Sequence, residues 1–333
     1  MKKHKENVKK ITSIGGSALI EGIMMRGPKR TTVAVRTGDN EIYKEDVAYT
    51  SISSKGKFFR LPFIRGIVGL IDSMKLSYKS LAISADKAMS DAMEEEPESR
   101  FEKWLVKKFG EKMMNVLMWF AGIVGVLLAV LLFFFLPSFL FDLSSNFIPV
   151  FSGEGRDVVF YKSVFEGILK MIIFFTYILL VSRMEDMKRV FMYHGAEHKT
   201  IFCYESEEEL TVENVKKHTR FHPRCGTSFM VLMLVVGILV GLFVPVAPFG
   251  IPVLRPAIKI LLLPISCGIG YELIKICGKY DNIATRIIAA PGLWAQRITT
   301  KEPDDSMIEV AIAAIKDVIP DDGSDIVSVE KTK

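Results

Sequence analysis

The sequence is poor in the residues and motifs that mark many soluble enzymes and secreted domains. It has 4 cysteines and 5 histidines in 333 residues, and the cysteines are not spaced as a disulfide framework. A glycine-rich phosphate loop, a dinucleotide-binding fingerprint and a G-x-S-x-G nucleophile motif are all missing from the sequence. Disulfide scaffolds, nucleotide-driven proteins and serine hydrolases therefore have no support in the sequence.

The chain also lacks a strong charge imbalance. Its formal net charge is +5 at pH 7, and its basic residues are spread along the chain rather than interleaved with aromatic ones. A nucleic-acid-binding surface needs concentrated positive charge, so nucleic acid is not an expected partner. Anionic lipid headgroups are the expected counter-charge, because the lipid bilayer is the natural environment of a chain that is 50% hydrophobic.

The sequence does contain long apolar runs, and four of them are long enough to cross a bilayer as helices. They lie at about Asn115–Leu136, Val164–Ser182, Ser228–Val246 and Pro256–Cys277. This pattern predicts a mainly α-helical integral membrane protein with about four transmembrane helices. Within the second run, Glu166 and Lys170 are spaced to neutralise each other on one helix face.

Lysine and arginine are unevenly distributed among the loops between these runs. Residues 183–227 carry eight of them, residues 137–163 carry two, and residues 247–255 carry one. Basic loops stay on the cytoplasmic side of a membrane. This bias predicts a multi-pass protein of the cytoplasmic membrane, with both termini and the 183–227 loop in the cytoplasm.

The chain is predicted to have four parts. Residues 1–60 are rich in alternating β-branched residues, with a hairpin at TTVAVR-TGDN-EIYKEDV, and predict a small β-rich cytoplasmic domain. Residues 61–114 begin with an amphipathic helix that either lies in the membrane interface or packs on the β domain, and then form an acidic linker. Residues 115–277 hold the transmembrane domain with its cytoplasmic loop. Residues 278–333 form amphipathic helices and a polar tail.

Two acidic residues in apolar segments have structural as well as functional explanations. Glu21 could pair with Arg26 or Arg30, and this explanation is as well supported as a functional role. Glu272, in the fourth apolar run, is expected to reach the membrane surface or to pair with Lys275.

Residues 193–229 hold four of the five histidines and two of the four cysteines. His194 and His198 are four residues apart, a spacing that puts both imidazoles on one face of a helix. The sequence His-Gly-Ala-Glu-His also fits the H-x-x-E-H pattern of inverted zincins, in which the histidines bind zinc and the glutamate handles protons. Glu197 is therefore the candidate catalytic residue.

The second half of this segment adds further possible ligands. His222 and Cys225 are three residues apart, and Pro223 predicts that a helix ends there in a turn. Neutral imidazole and thiolate are the ligands that zinc prefers. The cluster therefore predicts a site for a divalent metal, with zinc as the expected ion, whose ligands are His194, His198, His222 and Cys225. The alternative is a polar network at a helix end, and the role of His218 is left open.

Four segments resemble, in the same order, the YqhQ-like family of bacterial membrane proteins: GGSALIEGIMMRGP, YHGAEHKTIFCYE, HPRCGTSF and APGLWAQRITTKEPDDSMIEVAIAA. The similarity extends from about Gly15 to Val318. This family is described as a domain of unknown function and is sometimes labelled a predicted metal-dependent enzyme. The resemblance implies a polytopic membrane protein, and the metal label applies here to His194, Glu197, His198, His222 and Cys225.

Two functions from different classes fit these residues. In the first, three ligands hold the metal, water takes an open position, and Glu197 accepts its proton, which would support hydrolysis of a peptide or lipid-linked bond. In the second, four ligands close a structural site in a membrane scaffold or in a biogenesis factor with membrane-protein partners. The number of protein ligands separates the two functions. The position of Glu197 between the paired histidines favours the enzyme.

Overall fold

The computed structural model describes residues 8–92, 116–117, 120–153, 155–280 and 282–331. Near the N-terminus a four-stranded antiparallel sheet runs in the order β2-β3-β4-β5, and β1 pairs antiparallel with β6 from the other end of the chain. The strands are β1 Val8–Thr12, β2 Gly15–Leu19, β3 Gly22–Arg26, β4 Thr31–Arg36, β5 Ile42–Asp46 and β6 Ile326–Lys331. The hairpin predicted around residues 37–40 is confirmed, since β4 pairs with β5 from Arg36 opposite Ile42 onward.

The helices occupy most of the remaining described chain. They are α1 Ile64–Ala92, α2 Phe120–Ser144, α3 Arg156–Val181, α4 Glu185–Glu205, α5 Val212–Lys216, α6 Gly226–Gly241, α7 Leu254–Leu261, α8 Leu263–Lys279, α9 Ile283–Thr299 and α10 Asp305–Val318. The last helix, one of the predicted amphipathic helices of residues 278–333, begins at an acidic cap, because the Asp304 side chain accepts a hydrogen bond from the Met307 N–H.

The central strands of the sheet are buried on both faces. On one face, Ile23, Met25 and Ala34 join a core with apolar residues of α4 and α10. On the other face, Met24 and Val33 join a core with Leu76 of α1. A sheet with two apolar faces needs a layer on each side. The segment predicted as a β-rich domain is therefore built into one layered unit with α1, α4 and α10.

The membrane helices agree with the prediction only in part. Among the described residues, two helices are long and apolar enough to cross a membrane, α2 with 25 residues and α3 with 26. The pair α7 and α8 would make a third span, bent by 49° at the break between them. The helix in the third predicted run, α6, has only 16 residues. The structure thus supports two candidate spans, or three with the bent pair.

Glu166 is neutralised by a different helix from the one predicted. Arg255 Nε donates to Glu166 Oε1 at 3.2 Å, and Lys259 Nζ donates to Oε2. Both basic residues lie on α7, and Glu166 and Arg255 are buried. Lys170, the predicted partner, instead lies 4.7 Å from the centre of the Phe134 ring. Because the charges are paired between α3 and α7, this ionic group ties two apolar helices together.

The first helix links the sheet to the apolar helices. Arg65 of α1 donates through Nε to Glu272 Oε1 of α8 at 2.7 Å, so the hydrogen-bonded partner of Glu272 is Arg65, while the charge of the predicted partner Lys275 also acts on this carboxylate. One face of α1 packs on the sheet, which is one of its two predicted placements. Its opposite face leaves Met74 and Tyr78 65% and 78% exposed.

Candidate metal centre

Three polar residues of α4 share one side of the helix, as the H-x-x-E-H spacing predicts. The ring centres of His194 and His198 are 4.4 Å apart, one turn above the other. Glu197 and His198 are buried and His194 is half-buried. Because α4 also contributes to the core under the sheet, these side chains are set on a rigid element.

Cys225 reaches the same place from the other side. It is the residue immediately before α6, and its Sγ lies 3.1 Å from His194 Nε2 and 3.2 Å from the Thr227 hydroxyl. A helix N-terminus and a hydroxyl both favour negative charge on a neighbouring atom. The position therefore suits a thiolate ligand, at the point where the layered unit meets an apolar helix.

Both histidines of α4 are oriented by main-chain carbonyls. His194 Nδ1 lies 2.9 Å from the Thr299 oxygen, and His198 Nδ1 lies 2.5 Å from the Arg220 oxygen. A carbonyl can only accept, so each Nδ1 carries a proton, and a neutral ring in this tautomer has its lone pair on Nε2. This is the way in which proteins commonly orient histidines that bind metal.

The donor set fits zinc. His194, His198 and Cys225 each offer a ligand atom, and these atoms all lie within 4.8 Å of one another. Two imidazole nitrogens and one sulfur are ligands that zinc prefers, and three protein ligands leave a fourth position for another group. The three residues could therefore hold a divalent metal without a change of fold.

His222, the fourth predicted ligand, lies beside this group and not within it. Its ring centre is 5.3 Å from that of His198. The main-chain N–H of Arg224 donates to its Nδ1 at 3.3 Å, and the Arg224 guanidinium lies 3.3 Å from its Nε2. A neutral imidazole has a single lone-pair nitrogen, so the ring can accept a hydrogen bond at only one of these two positions. Among the described residues, the ligand atoms that lie close together are those of His194, His198 and Cys225, and this group does not include His222.

Gln296 of α9 fixes the loop that carries His222. Its side-chain oxygen accepts from the His222 N–H at 2.7 Å, and its amide donates to the His222 carbonyl at 2.7 Å and to Ser228 Oγ at 2.8 Å. Gln296 is fully buried. Sequence reasoning missed this role because the main partners are backbone atoms 74 residues away. The buried face of α9 also carries Thr285 and Thr299, so the sequence did not single out this amide.

The glycine between the two histidines has a packing role. A Cβ on Gly195 would lie 2.0 Å from the Lys301 carbonyl oxygen, and the Lys301 N–H donates to the Phe191 carbonyl at 2.8 Å. The segment after α9 therefore crosses α4 directly at Gly195. This crossing brings the Thr299 carbonyl to His194 Nδ1. Only glycine allows so close an approach of two backbones.

Glu197 is held by the first strand of the sheet. The Gly16 N–H donates to its carboxylate, and a Cβ on Gly16 would lie 3.0 Å from Glu197 Cδ. Burial raises the pKa of Glu197 above its usual range, and His194 and the Gly16 N–H act in the opposite direction. Gly16 thus serves the close packing of β2 against α4, whereas a Cβ on Gly15 would meet nothing within 4 Å.

The whole chain can now be compared with known proteins. Residues 61–321 match a family described as a protein of unknown function, DUF1385. The uncharacterized protein YqhQ of Bacillus subtilis (strain 168) is 33% identical over 306 residues, which is 92% of each chain. The chain belongs to this family. The resemblance found in the sequence motifs is therefore confirmed, although the family match itself begins after the sheet. No solved structure matches the chain.

In this YqhQ-like chain, the motif that contains Glu21 supports the site from a distance. Glu21 lies in the turn between β2 and β3 with φ of 49°. Arg189 Nη2 of α4 donates to it at 2.5 Å, and the Tyr193 hydroxyl lies 3.3 Å from the same carboxylate. The predicted pairing with Arg26 or Arg30 is therefore wrong. The ion pair ties the turn to α4 just before His194.

Proposed function

We propose that the chain is a metal-dependent hydrolase of the cytoplasmic membrane face, with His194, His198 and Cys225 as the metal ligands. The observation that carries this proposal is the orientation of the two histidines. Each Nδ1 faces a main-chain carbonyl, which leaves Nε2 as the lone-pair nitrogen of the neutral ring. The short contact between His194 Nε2 and Cys225 Sγ brings the thiol into the same group.

Zinc is the expected ion, and when bound in such a site it polarises a carbonyl or phosphoryl oxygen and makes water more acidic. The proposed work of Glu197 is to accept and return a proton. Its surroundings support that role, since burial raises its pKa towards the range in which a carboxylate is a useful base. Glu197 also does not orient either ligand histidine, because main-chain carbonyls already do so.

The proposed topology has several membrane passes and both termini in the cytoplasm. β1 and β6 pair, so residues 8 and 331 lie on the same side of any membrane. The layered unit also contains α4, which supports a chain that leaves and returns once through α2 and α3. The proposed second passage uses the bent pair together with α6, an apolar helix of only 16 residues. Eight basic residues between α3 and α6 favour the cytoplasmic side.

The proposed substrate is a peptide or lipid-linked bond at the level of the headgroups. Support comes from α9, whose outward face exposes Ile283, Ile287 and Trp294 by 79%, 67% and 70%. An apolar face ending in tryptophan is typical of a helix that lies at a membrane surface. Thr299, the last residue of this helix, supplies the carbonyl that binds His194. The site is thus directly connected to the helix that would contact lipid.

A structural metal site in a membrane scaffold or biogenesis factor is the second candidate. Two observations favour it: His198 and Cys225 are only 2% and 7% exposed, and the His222 ring lies 5.3 Å from His198. If the Arg224 side chain moved aside, His222 Nε2 would become available as a fourth ligand. Such a closed site would fasten the cytoplasmic loop and leave no position for water.

X-ray absorption on the purified, zinc-loaded protein separates these functions. We expect a shell of two nitrogens, one sulfur and at least one light atom from solvent. The control is the His222→Ala protein, whose shell should be the same as that of the natural chain. A shell of three imidazoles and one sulfur, lost in His222→Ala, would leave only the structural function.

A further inference from the structure

A second group of possible ligands lies at the far end of α4. Cys203 is on the last turns of the helix, Glu208 follows in the loop, and His218 comes just after α5. Their ligand atoms all lie within 4.8 Å of one another. The group uses no residue of the first site, and Cys203 is fully buried while Glu208 reaches the surface.

One ring nitrogen of the histidine in this group lacks a hydrogen-bond partner. His218 Nε2 is buried and has no hydrogen-bond partner among the described residues. Glu208 Oε2 is 3.4 Å away, close enough for charge attraction, but the contact lacks the alignment of a hydrogen bond. Leaving a buried ring nitrogen without a hydrogen-bond partner destabilises the folded state. A native protein rarely keeps such an atom without a partner, and a bound ion would provide one.

We propose that Cys203, Glu208 and His218 form a second binding site for a divalent metal. Sulfur, carboxylate and imidazole together suit zinc or a similar ion. The competing explanation is that Cys203 is an apolar core residue whose thiol, with its pKa raised to about 11 by burial, donates to the Glu209 carbonyl at 3.6 Å. A cation would reverse that effect, because it stabilises the thiolate directly.

This site has a consequence for the first one. His218 is two residues before Arg220, whose carbonyl orients His198. An ion that joins the end of α4 to His218 would fix this stretch and hold the carbonyl in place. The second site would then raise metal affinity at the first site without touching it, as partners outside the ligand set commonly do. This coupling rests on the proposed function, whereas the existence of the second site does not.

The test is a titration of the full-length, detergent-purified protein with Zn²⁺ and with Co²⁺, whose thiolate complexes absorb in the near ultraviolet. The natural chain should bind about two ions, and Cys203→Ser and His218→Ala should each bind about one. His198→Ala should also bind about one, because the second site remains. Cys267→Ser, which removes a cysteine outside both groups, is the matched control and should bind as the natural chain does.

A further variant protects the test against misfolding. Glu208 is 42% exposed, so Glu208→Gln should leave the fold intact and weaken the second ion by about 10-fold or more. In Cys225→Ser, the thiolate-to-Co²⁺ absorption should persist, since Cys203 still supplies sulfur. The proposal is overturned if Cys225→Ser abolishes that absorption, or if Cys203→Ser and Glu208→Gln bind the same number of ions with unchanged affinity. If His198→Ala binds as many ions as the natural chain, the proposal for the first site is wrong, whereas the proposal for the second site is unaffected.

Discussion

His194 Nε2 lies 3.1 Å from Cys225 Sγ, although the two residues are 31 positions apart in the sequence. The contact is possible because two interactions hold the stretch just before Cys225 in place. Gln296 binds the main chain of His222, and Arg224 donates to the buried carboxylate of Glu205 on α4. The two halves of the predicted cluster are therefore brought together by residues that are not themselves ligands.

Zinc should protect Cys225 from alkylation. A thiolate that is bound to metal reacts slowly, so adding zinc should slow modification of Cys225 by about 10-fold or more, as measured by mass spectrometry of the Cys225 peptide. In His194→Ala and in His198→Ala the protection should be largely lost, because each removes one of three ligands on rigid elements. Equal protection in the natural chain and both variants would leave the cluster as a polar network.

His222→Ala distinguishes a three-ligand site from a four-ligand site by affinity. His222 lies outside the group of three ligand residues, so the variant should bind zinc within about 3-fold of the natural chain, by competition with a chelator. The variant keeps the main-chain atoms that Gln296 binds, so the loop should stay in place. A loss of about 100-fold, comparable to that of His198→Ala, would show that His222 is a ligand.

Gly195→Ala should damage the site without removing any side chain. The new Cβ would collide with the Lys301 carbonyl and push the segment after α9 away, so His194 would lose its Thr299 partner. We expect zinc affinity to fall by about 10-fold or more, with a loss of about 1–3 kcal/mol in stability. The matched control is Gly226→Ala, where a Cβ meets nothing within 4 Å. Similar affinities for the two variants would contradict this role of the crossing.

The proposed orientation is testable by cysteine labelling in intact cells. Ser152 lies in the loop between α2 and α3, and Glu213 is exposed on α5. Ser152→Cys should react with a membrane-impermeant thiol reagent added outside, whereas Glu213→Cys should react only after the cells are opened. The natural chain, with its own cysteines, gives the background. Labelling of Glu213→Cys in closed cells would reverse the orientation and place the metal centre outside.

The sequence was informative wherever a local pattern determined the geometry. The spacing of His194 and His198 predicted a shared helix face, and the alternating residues 31–46 predicted a hairpin. The errors concern long-range partners. Glu166 and Glu272 each have a nearby lysine in sequence, yet their partners are Arg255 with Lys259, and Arg65. The spacing of charges along the sequence cannot predict such pairs, because the packing of helices determines which basic side chain lies next to each carboxylate.

The same limit applies to the roles within the metal centre. Residue type alone made His222 as good a ligand as His198. The two rings differ in their neighbours. His198 Nδ1 donates to a main-chain carbonyl, whereas the His222 ring lies against donor groups of Arg224. Neither partner is identifiable from spacing, because one is a backbone atom and the other is a neighbour turned inward by Glu205. The sequence therefore could not distinguish the surroundings of these two histidines.

Glu197→Gln separates catalysis from a structural role. Glutamine keeps the size of the side chain and an oxygen that can accept from the Gly16 N–H, but it cannot take up a proton at neutral pH. Zinc binding and thermal stability should therefore stay close to those of the natural chain. If Glu197 is the base, growth of a deletion strain should not be restored by this variant at normal protein and metal levels.

Glu197→Asp is the companion variant for the same residue. It keeps the proton acceptor but shortens the side chain, so it should restore function in part. A purely structural role of Glu197 predicts the opposite ranking of the two variants in restoring growth. In that case the isosteric glutamine preserves the packing against Gly16 and the shorter aspartate disturbs it, so Glu197→Gln would restore growth better than Glu197→Asp. Full restoration by Glu197→Gln would therefore exclude Glu197 as the proton acceptor, and the structural metal site would become the better supported function.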